Sequence, residues 1–474
     1  MRLDRRQFIR SAAALPGVLA LQQSSRPRVI VLGAGLAGLS AASELDRAGL
    51  DVVILEARVR AGGRVYTLRE PFSDGLYAEA GAARIQDSHA FTMRYVKEFN
   101  LSLDPFFPAE GSSVVRVAGK RFIVPPRMSA DLAQVPLEFT DEERKGGMRG
   151  ALGKYLFSHL GEIGDPLATD WPTKDFSAFE HPIADYCRSQ GASPALLRML
   201  EVGHDLDGMS VLQFLRDIAV GATTKVWYKI RGGNDQLPKA FATALAPKIH
   251  YGAPVVRIEQ DSSSVRAIYQ HAGTSATVSG EFMVCTIPLP VMRRVEVSPG
   301  LSPSKRGAID EVENIAMARV FLQSRTRFWL ARGESGWGQT DDPIDVWDYT
   351  RDQAGTRGIL GAYTSGRMAR QISARDPLER GPFVLKMMER LHPGIRENFE
   401  GSASYSWVSD PWVLGAAAEF KAGQLSKYYA ILRQPEGRIH FAGEHTSPWN
   451  GWMNGGLESG HRVAEEIKAR VARV

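Results

Sequence analysis

The chain has 474 residues, too many for one simple core, so more than one domain is expected. Apolar residues make up 44%, enough for a sizeable interior, and mean hydropathy is −0.20 with no apolar run near the ~20 residues that cross a bilayer, so no stable membrane span is expected. The net charge is +5, but the first twenty residues hold Arg2, Arg5, Arg6 and Arg10 against Asp4, and the small remainder gives no argument for a nucleic-acid partner.

In chain order, the N-terminus reads as an address. Arg5-Arg6-Gln7-Phe8-Ile9-Arg10 resembles a twin-arginine export signal, followed by a short apolar run over 12–21. Val18-Leu19-Ala20 offers a cleavage site. Residues 1–26 are set apart as signal and linker, and the expected destination is the periplasm or the exterior. The competing reading is a basic tail. Twin-arginine export carries folded proteins, which suits a chain that loads a cofactor first. Cys187 and Cys285 cannot build a disulfide framework, and two unpaired thiols are expected.

The next segment is the most informative. An apolar run, Val29-Ile30-Val31-Leu32, leads into Gly33-Ala34-Gly35-Leu36-Ala37-Gly38, and a helical pattern follows through Leu39, Ala42 and Leu45. A second run, Val52-Val53-Ile54-Leu55, ends in Glu56. This is a βαβ unit with G-x-G-x-x-G at its turn and an acid closing the second strand. The glycines let backbone approach a pyrophosphate, the helix start supplies N–H donors, and Glu56 can accept from ribose hydroxyls. The bland alternative is a turn that only packs tightly.

Residues 67–125 mix strand-like and turn-rich stretches. Helical patterns dominate from about 126 to 222, as over 193–202. Arg231-Gly232-Gly233-Asn234-Asp235-Gln236-Leu237-Pro238 marks a boundary and leads into a helix. Strand patterns follow at 255–258, 265–269 and 282–287. Residues 301–430 mix both types. A strand over 438–442, then Gly443-Glu444 and a helix from about 454 to 471, close the chain.

Four separated segments carry a family resemblance. They are the glycine turn; Glu56-Ala57-Arg58-Val59-Arg60-Ala61-Gly62-Gly63-Arg64; Ile230-Arg231-Gly232-Gly233 with Gln236-Leu237-Pro238; and Phe441-Ala442-Gly443-Glu444-His445-Thr446 with Gly451 through Gly460. In this order they resemble the monoamine oxidase/L-amino acid oxidase family of flavin-dependent amine oxidoreductases, with L-amino acid oxidases the nearer branch. The resemblance implies an α/β fold. A doubly wound, Rossmann-like FAD-binding domain would be assembled from 27–66, 228–298 and 433–471. A mixed-sheet substrate domain would take 67–125 and 299–432, and a helical insertion 126–227. FAD contacts are implied for Gly33, Gly35, Gly38, Glu56, Arg58, Gly63, Arg64, Gly81, Ala82, Ala83, Val256, Glu444 and Met453. No metal site is expected. The C-terminal helix would aim its positive end at the flavin edge that gains charge on reduction.

Substrate contacts follow from the same resemblance. Arg84, in Ala80-Gly81-Ala82-Ala83-Arg84-Ile85, matches the arginine that holds the substrate carboxylate in L-amino acid oxidases. A guanidinium suits that task because its planar fork matches a carboxylate. Trp452 matches an aromatic wall beside the flavin, and Gly451 the backbone carbonyl that holds the substrate amine. In the segment Trp407 to Ala417 the positions of a flavin-linking cysteine and a second aromatic read Ala416 and Ala417, so FAD should be non-covalent. One departure stands out. The family lysine ten residues before a Phe-Trp pair, bridged by water to flavin N5, reads Arg319 here, ahead of Phe328-Trp329. Arginine keeps the charge but does not exchange protons near neutral pH.

The expected reaction is oxidative deamination of an L-amino acid: hydride passes from Cα to flavin N5, and a 2-oxo acid, ammonium and hydrogen peroxide result, with oxygen as acceptor. Two rivals stay open. One is a primary amine or polyamine oxidase with Arg84 structural. The other is an FAD-binding non-oxidase, such as a desaturase, an isomerase or a partner-dependent redox protein. Trp347, Tyr349 and Trp407 hint at an aromatic lining, though such residues are more often core. Dimers are common among relatives, and a homodimer is left open.

Overall fold

Four consecutive apolar residues, Val29 to Leu32, are buried on both faces of the strand Arg28–Leu32, as a parallel strand covered on each side requires. The structure is a computed structural model. It describes residues 26–473 except 127, 129, 173 and 204–207, so the export signal lies outside the described residues. Five parallel strands form the central sheet, in the order Ile249–Tyr251, Asp51–Glu56, Arg28–Leu32, Phe282–Cys285, Ile439–Phe441. Chain order reverses direction beside the first strand, and ligands of such sheets bind outside the carboxyl ends at that point.

Helix Leu36–Arg47 and helix Met453–Val471 cover one face. They cross closely: a Cβ on Gly460 would lie 2.2 Å from the Ala37 carbonyl, and Ser40 donates to the Leu457 carbonyl at 2.9 Å. Val29 and Val31 face these helices, while Ile30 and Leu32 join the core on the other side. The strand expected over 282–287 ends at Cys285, and Thr286 closes the ladder by bonding the carbonyl of Leu32, the last residue of the neighbouring strand, through both its N–H (3.1 Å) and its hydroxyl (2.6 Å).

A second, seven-stranded mixed sheet runs Phe399–Ser406, Met317–Ser324, Gly358–Ser365, Ile344–Asp348, Glu334–Thr340, Ser112–Val117, Lys120–Val124. Its one parallel junction joins Glu334–Thr340 to Ser112–Val117; the other pairs are antiparallel. Between the sheets, Trp227–Ile230 pairs with both Ile85–Gln86 and Leu103–Pro105. That strand straddles the boundary drawn at residue 227 from the sequence. The helical segment holds Asp141–Tyr155, Ile183–Ser189, Pro194–Leu200 and Val211–Val220. Thr140 caps the first through a reciprocal pair with Glu143, and Ser193 and Ser210 cap the last two. Leu196 and Leu212 share one core with Phe420 and Tyr429, so these helices buttress the chain before the last strand. Among the described residues no helix is long and apolar enough to cross a membrane.

Candidate active site

A cleft of about 280 Å³ runs from the carboxyl ends of the parallel sheet to the open face of the mixed sheet. At one end the glycine turn adopts a left-handed φ of +103° at Gly33, whose N–H bonds the Leu55 carbonyl at 2.8 Å. Gly35 lines the cleft at φ −75°, a value any residue accepts, and a Cβ there would meet no atom within 4 Å. Neither backbone conformation nor a protein neighbour requires glycine at 35, so a need for it can come only from what enters the cleft. Gly38 departs from the expected cofactor contact. It does not line the cleft, and its Cβ would sit 2.0 Å from the Gly33 carbonyl, so it is the glycine that seats the helix against the turn.

Glu56 reaches under this turn. Its carboxylate accepts from the N–H groups of Ala34 (2.7 Å) and Arg58 (2.8 Å). Burial pushes its pKa up from the usual carboxylate range, and those two donors oppose the shift. Val256 also departs from expectation. A bulge in Val255–Gln260 turns its side chain out to 39% exposure, and Val255 lines the cleft instead.

Arg58 pairs with Asp410 at 2.5 Å, and the Tyr405 hydroxyl donates to the other Asp410 oxygen at 2.5 Å. Arg64 donates from Nη1 to Glu444 Oε1 and to the Ala416 carbonyl, both at 2.6 Å. Glu444 Oε2 accepts from Asn450 Nδ2 (2.6 Å) and from Gly451 N–H (2.9 Å). Gly63, Gly81, Ala82, Ala83 and Met453 line the same cleft, with Met453 opening the C-terminal helix.

Arg84 and Arg319 lie at the far end. Arg84 lines the cleft, and its guanidinium sits 5.2 Å from the Trp347 ring centre and 5.6 Å from those of Trp227 and Trp452. It makes no hydrogen bond or ion pair with any described residue. Arg319 is 4% exposed on the strand Met317–Ser324. Its Nη1 donates to the Glu79 carbonyl (2.7 Å) and the Tyr349 hydroxyl (2.9 Å), and its guanidinium lies over Tyr363 (4.7 Å) and Trp347 (5.2 Å). Its buried Nε has no acceptor among the described residues. Behind both arginines lies Asp345, which burial pushes up to about 7 against the pull of their charges. Of the three aromatics suggested from sequence, Trp407 lines the cleft, whereas Trp347 and Tyr349 are buried behind it as supports. Cys187 and Cys285 are both free and buried.

Sequence reading missed Asp410, Asp345, Trp227 and Tyr363. Trp227 comes beside Arg84 only because it pairs with Gln86 across two strands, and no local pattern announces that.

The residues present fit a flavin dinucleotide. The turn leaves room at Gly35, Glu56 stands at the end of the second strand, and a long helix opens on the cleft at Met453. Fold and cleft together define a dinucleotide-binding α/β protein. The sequence profile of flavin containing amine oxidoreductases matches residues 36–468, and the chain belongs to that family. It is 33% identical over 461 residues to a putative L-amino-acid oxidase, YobN, of Bacillus subtilis (strain 168), covering 94% of this chain and 96% of that one. It is 28% identical over 458 residues to an L-amino-acid oxidase of Pseudechis australis, covering 94% and 88%. Among solved structures, a putrescine oxidase bound to putrescine superposes with a TM-score of 0.81 at 24% identity, over 94% of this chain and 99% of that one. The cyclohexylamine oxidase of Brevibacterium oxydans IH-35A gives 0.80 at 22%, over 94% and 100%. At these identities the two structures speak to the fold alone.

Proposed function

We propose that this flavin amine oxidoreductase is an L-amino acid oxidase that holds FAD non-covalently and uses oxygen as acceptor. The observation that carries the proposal is the unpaired guanidinium of Arg84, held in a cleft by three tryptophans. A cation that makes no hydrogen bond or ion pair with a described residue, fixed by ring faces and open to the cleft, is prepared for a carboxylate, because burial holds the nearby Asp345 carboxyl toward its neutral form. The balance of charge in the cleft agrees. Its carboxylates among the described residues are Glu56 and Glu444, each already held by two or more donors at the cofactor end. The Arg84 end offers no lining carboxylate to hold the second ammonium of a diamine.

In this reading Gly33, Gly35 and the N-terminus of helix Met453–Val471 receive the phosphates and ring edge of FAD, and Glu56 the ribose. Flavin, when bound, supplies hydride acceptance. Arg84 binds the substrate carboxylate. Trp452 walls the site and keeps water out, and the Gly451 carbonyl orients the amine. Imine hydrolysis then gives the 2-oxo acid and ammonium, and oxygen leaves as hydrogen peroxide. Export through the twin-arginine route is part of the proposal and rests on Arg5-Arg6 and the apolar run after them. The test is anaerobic mixing of the yellow protein with L-amino acids and, separately, with their decarboxylated amines. Loss of visible flavin absorbance with amino acids alone supports the proposal. Loss with amines alone moves the chain to the amine oxidase branch.

A further inference from the structure

Five residues beyond Arg84, in the same segment, His89 is 1% exposed and precedes the helix Ala90–Glu98. The backbone N–H of Gln86 donates to its Nδ1 at 3.3 Å, which assigns the ring proton to Nε2. That Nε2 is buried and has no nitrogen or oxygen partner among the described residues. A buried donor without an acceptor is costly, so what lies against it matters. The ring beside it is Trp452, 5.1 Å between centres and inclined at 65°. Rings at this spacing and inclination meet edge to face, and an Nε2–H directed at the indole would make an N–H···π contact.

We propose that His89 is a positioning residue: as the neutral Nε2–H tautomer it donates to the indole of Trp452 and so holds the wall of the substrate site. The role rests on the L-amino acid oxidase reading only in what Trp452 is positioned for. Trp452 also meets Trp227 at 5.6 Å and the Arg84 guanidinium at 5.6 Å. One short segment therefore provides both the carboxylate anchor and the group that fixes the wall facing it. Strand pairing of Ile85 and Gln86 with Tyr228 and Trp227 keeps that segment in register. Burial pushes the imidazole down to about 4, opposed by Asp87, so the ring stays neutral at working pH.

Two measurements test the proposal. The first is nitrogen-15 spectroscopy of histidine-labelled, flavin-loaded protein, with the His89 signals assigned by their loss in His89→Gln. The expected result is a neutral ring protonated at Nε2, unchanged from roughly pH 5.5 to roughly pH 8, with its proton shifted upfield by the indole. A proton on Nδ1, or a titration within that range, overturns the proposal. The second compares His89→Phe, which keeps an edge-on ring but no donor, with His89→Gln, which keeps a donor. With flavin content matched, KM for the amino acid should rise about fivefold in His89→Phe and less than about twofold in His89→Gln, with kcat nearly constant in both. An unchanged KM in His89→Phe, or equal losses in the two variants, overturns it. If the wild type turns over no amino acid, the functional reading fails, and the spectroscopy still decides the role of His89.

Discussion

Arg64 Nη1 stands 2.6 Å from Glu444 Oε1, although 380 residues separate the two in sequence. With the Ala416 carbonyl on the same nitrogen and Asn450 and Gly451 on the other Glu444 oxygen, one buried carboxylate ties three distant segments into one wall of the cleft. Burial alone would raise Glu444, but the Arg64 charge and the hydrogen bonds outweigh it and hold the group below the usual carboxylate range. Its stabilising share is therefore present at neutral pH and is lost only as pH falls through the acid range.

The two glycines of the turn should fail differently. Gly38→Ala places a Cβ 2.0 Å from the Gly33 carbonyl, so helix and turn must separate, for a loss of about 1–3 kcal/mol and a fall in melting temperature of about 1–3 °C in a chain this long. Gly35→Ala meets no protein atom within 4 Å, so the fold should persist while FAD affinity drops. Melting of flavin-free protein and flavin titration separate the two outcomes. Equal loss of fold in both variants would contradict this assignment.

Acid precipitation should release all the flavin to the supernatant. The cleft is lined by Ala416 and Ala417, and both cysteines are buried and neither lines it. Yellow colour retained in the pellet would refute non-covalent binding.

Asp345 should make stability depend on pH. Burial lifts its carboxyl to about 7, so the folded chain keeps a proton that the unfolded chain releases near pH ~4. The folded state then binds more protons between those values, and stability falls as pH rises through that window and levels above it. Asp345→Asn removes the penalty. Its melting temperature relative to wild type should climb between roughly pH 5 and roughly pH 7. A constant difference across that range would show that Asp345 titrates normally.

Arg319→Lys should speed the return of electrons to oxygen. Arg319 is a fixed cation, stacked on Tyr363 and bonded to Tyr349 and the Glu79 carbonyl, and it cannot exchange protons near neutral pH. Lysine keeps the charge and can relay a proton. Stopped-flow reoxidation of the reduced enzyme gives the rate directly, and an unchanged rate removes the idea.

Much of the cofactor end was legible because its signals are local. The glycine turn, the strands on either side of it and Glu56 lie within thirty residues, and periodicity places them. Gly38 and Val256 show the limit of that reading. Whether a motif residue faces a ligand, packs a helix or swings out on a bulge depends on neighbours the motif does not contain. At the substrate end, Arg84 and Trp452 were reached through family resemblance. Their setting was not, because Trp227, Trp347 and His89 surround them through pairing and packing of separate strands and helices. Asp410 was hidden for the same reason: it meets Arg58 from 352 positions away.

The most direct test of Arg84 as carboxylate anchor is the ratio of kcat/KM for an L-amino acid to that for its decarboxylated amine, measured in wild type, Arg84→Lys and Arg84→Met. Loss of a charged, two-pronged contact should lower that ratio about a hundredfold in Arg84→Met, with Arg84→Lys between. A ratio that is the same in all three proteins, or a wild type that already favours the amine, would contradict the account.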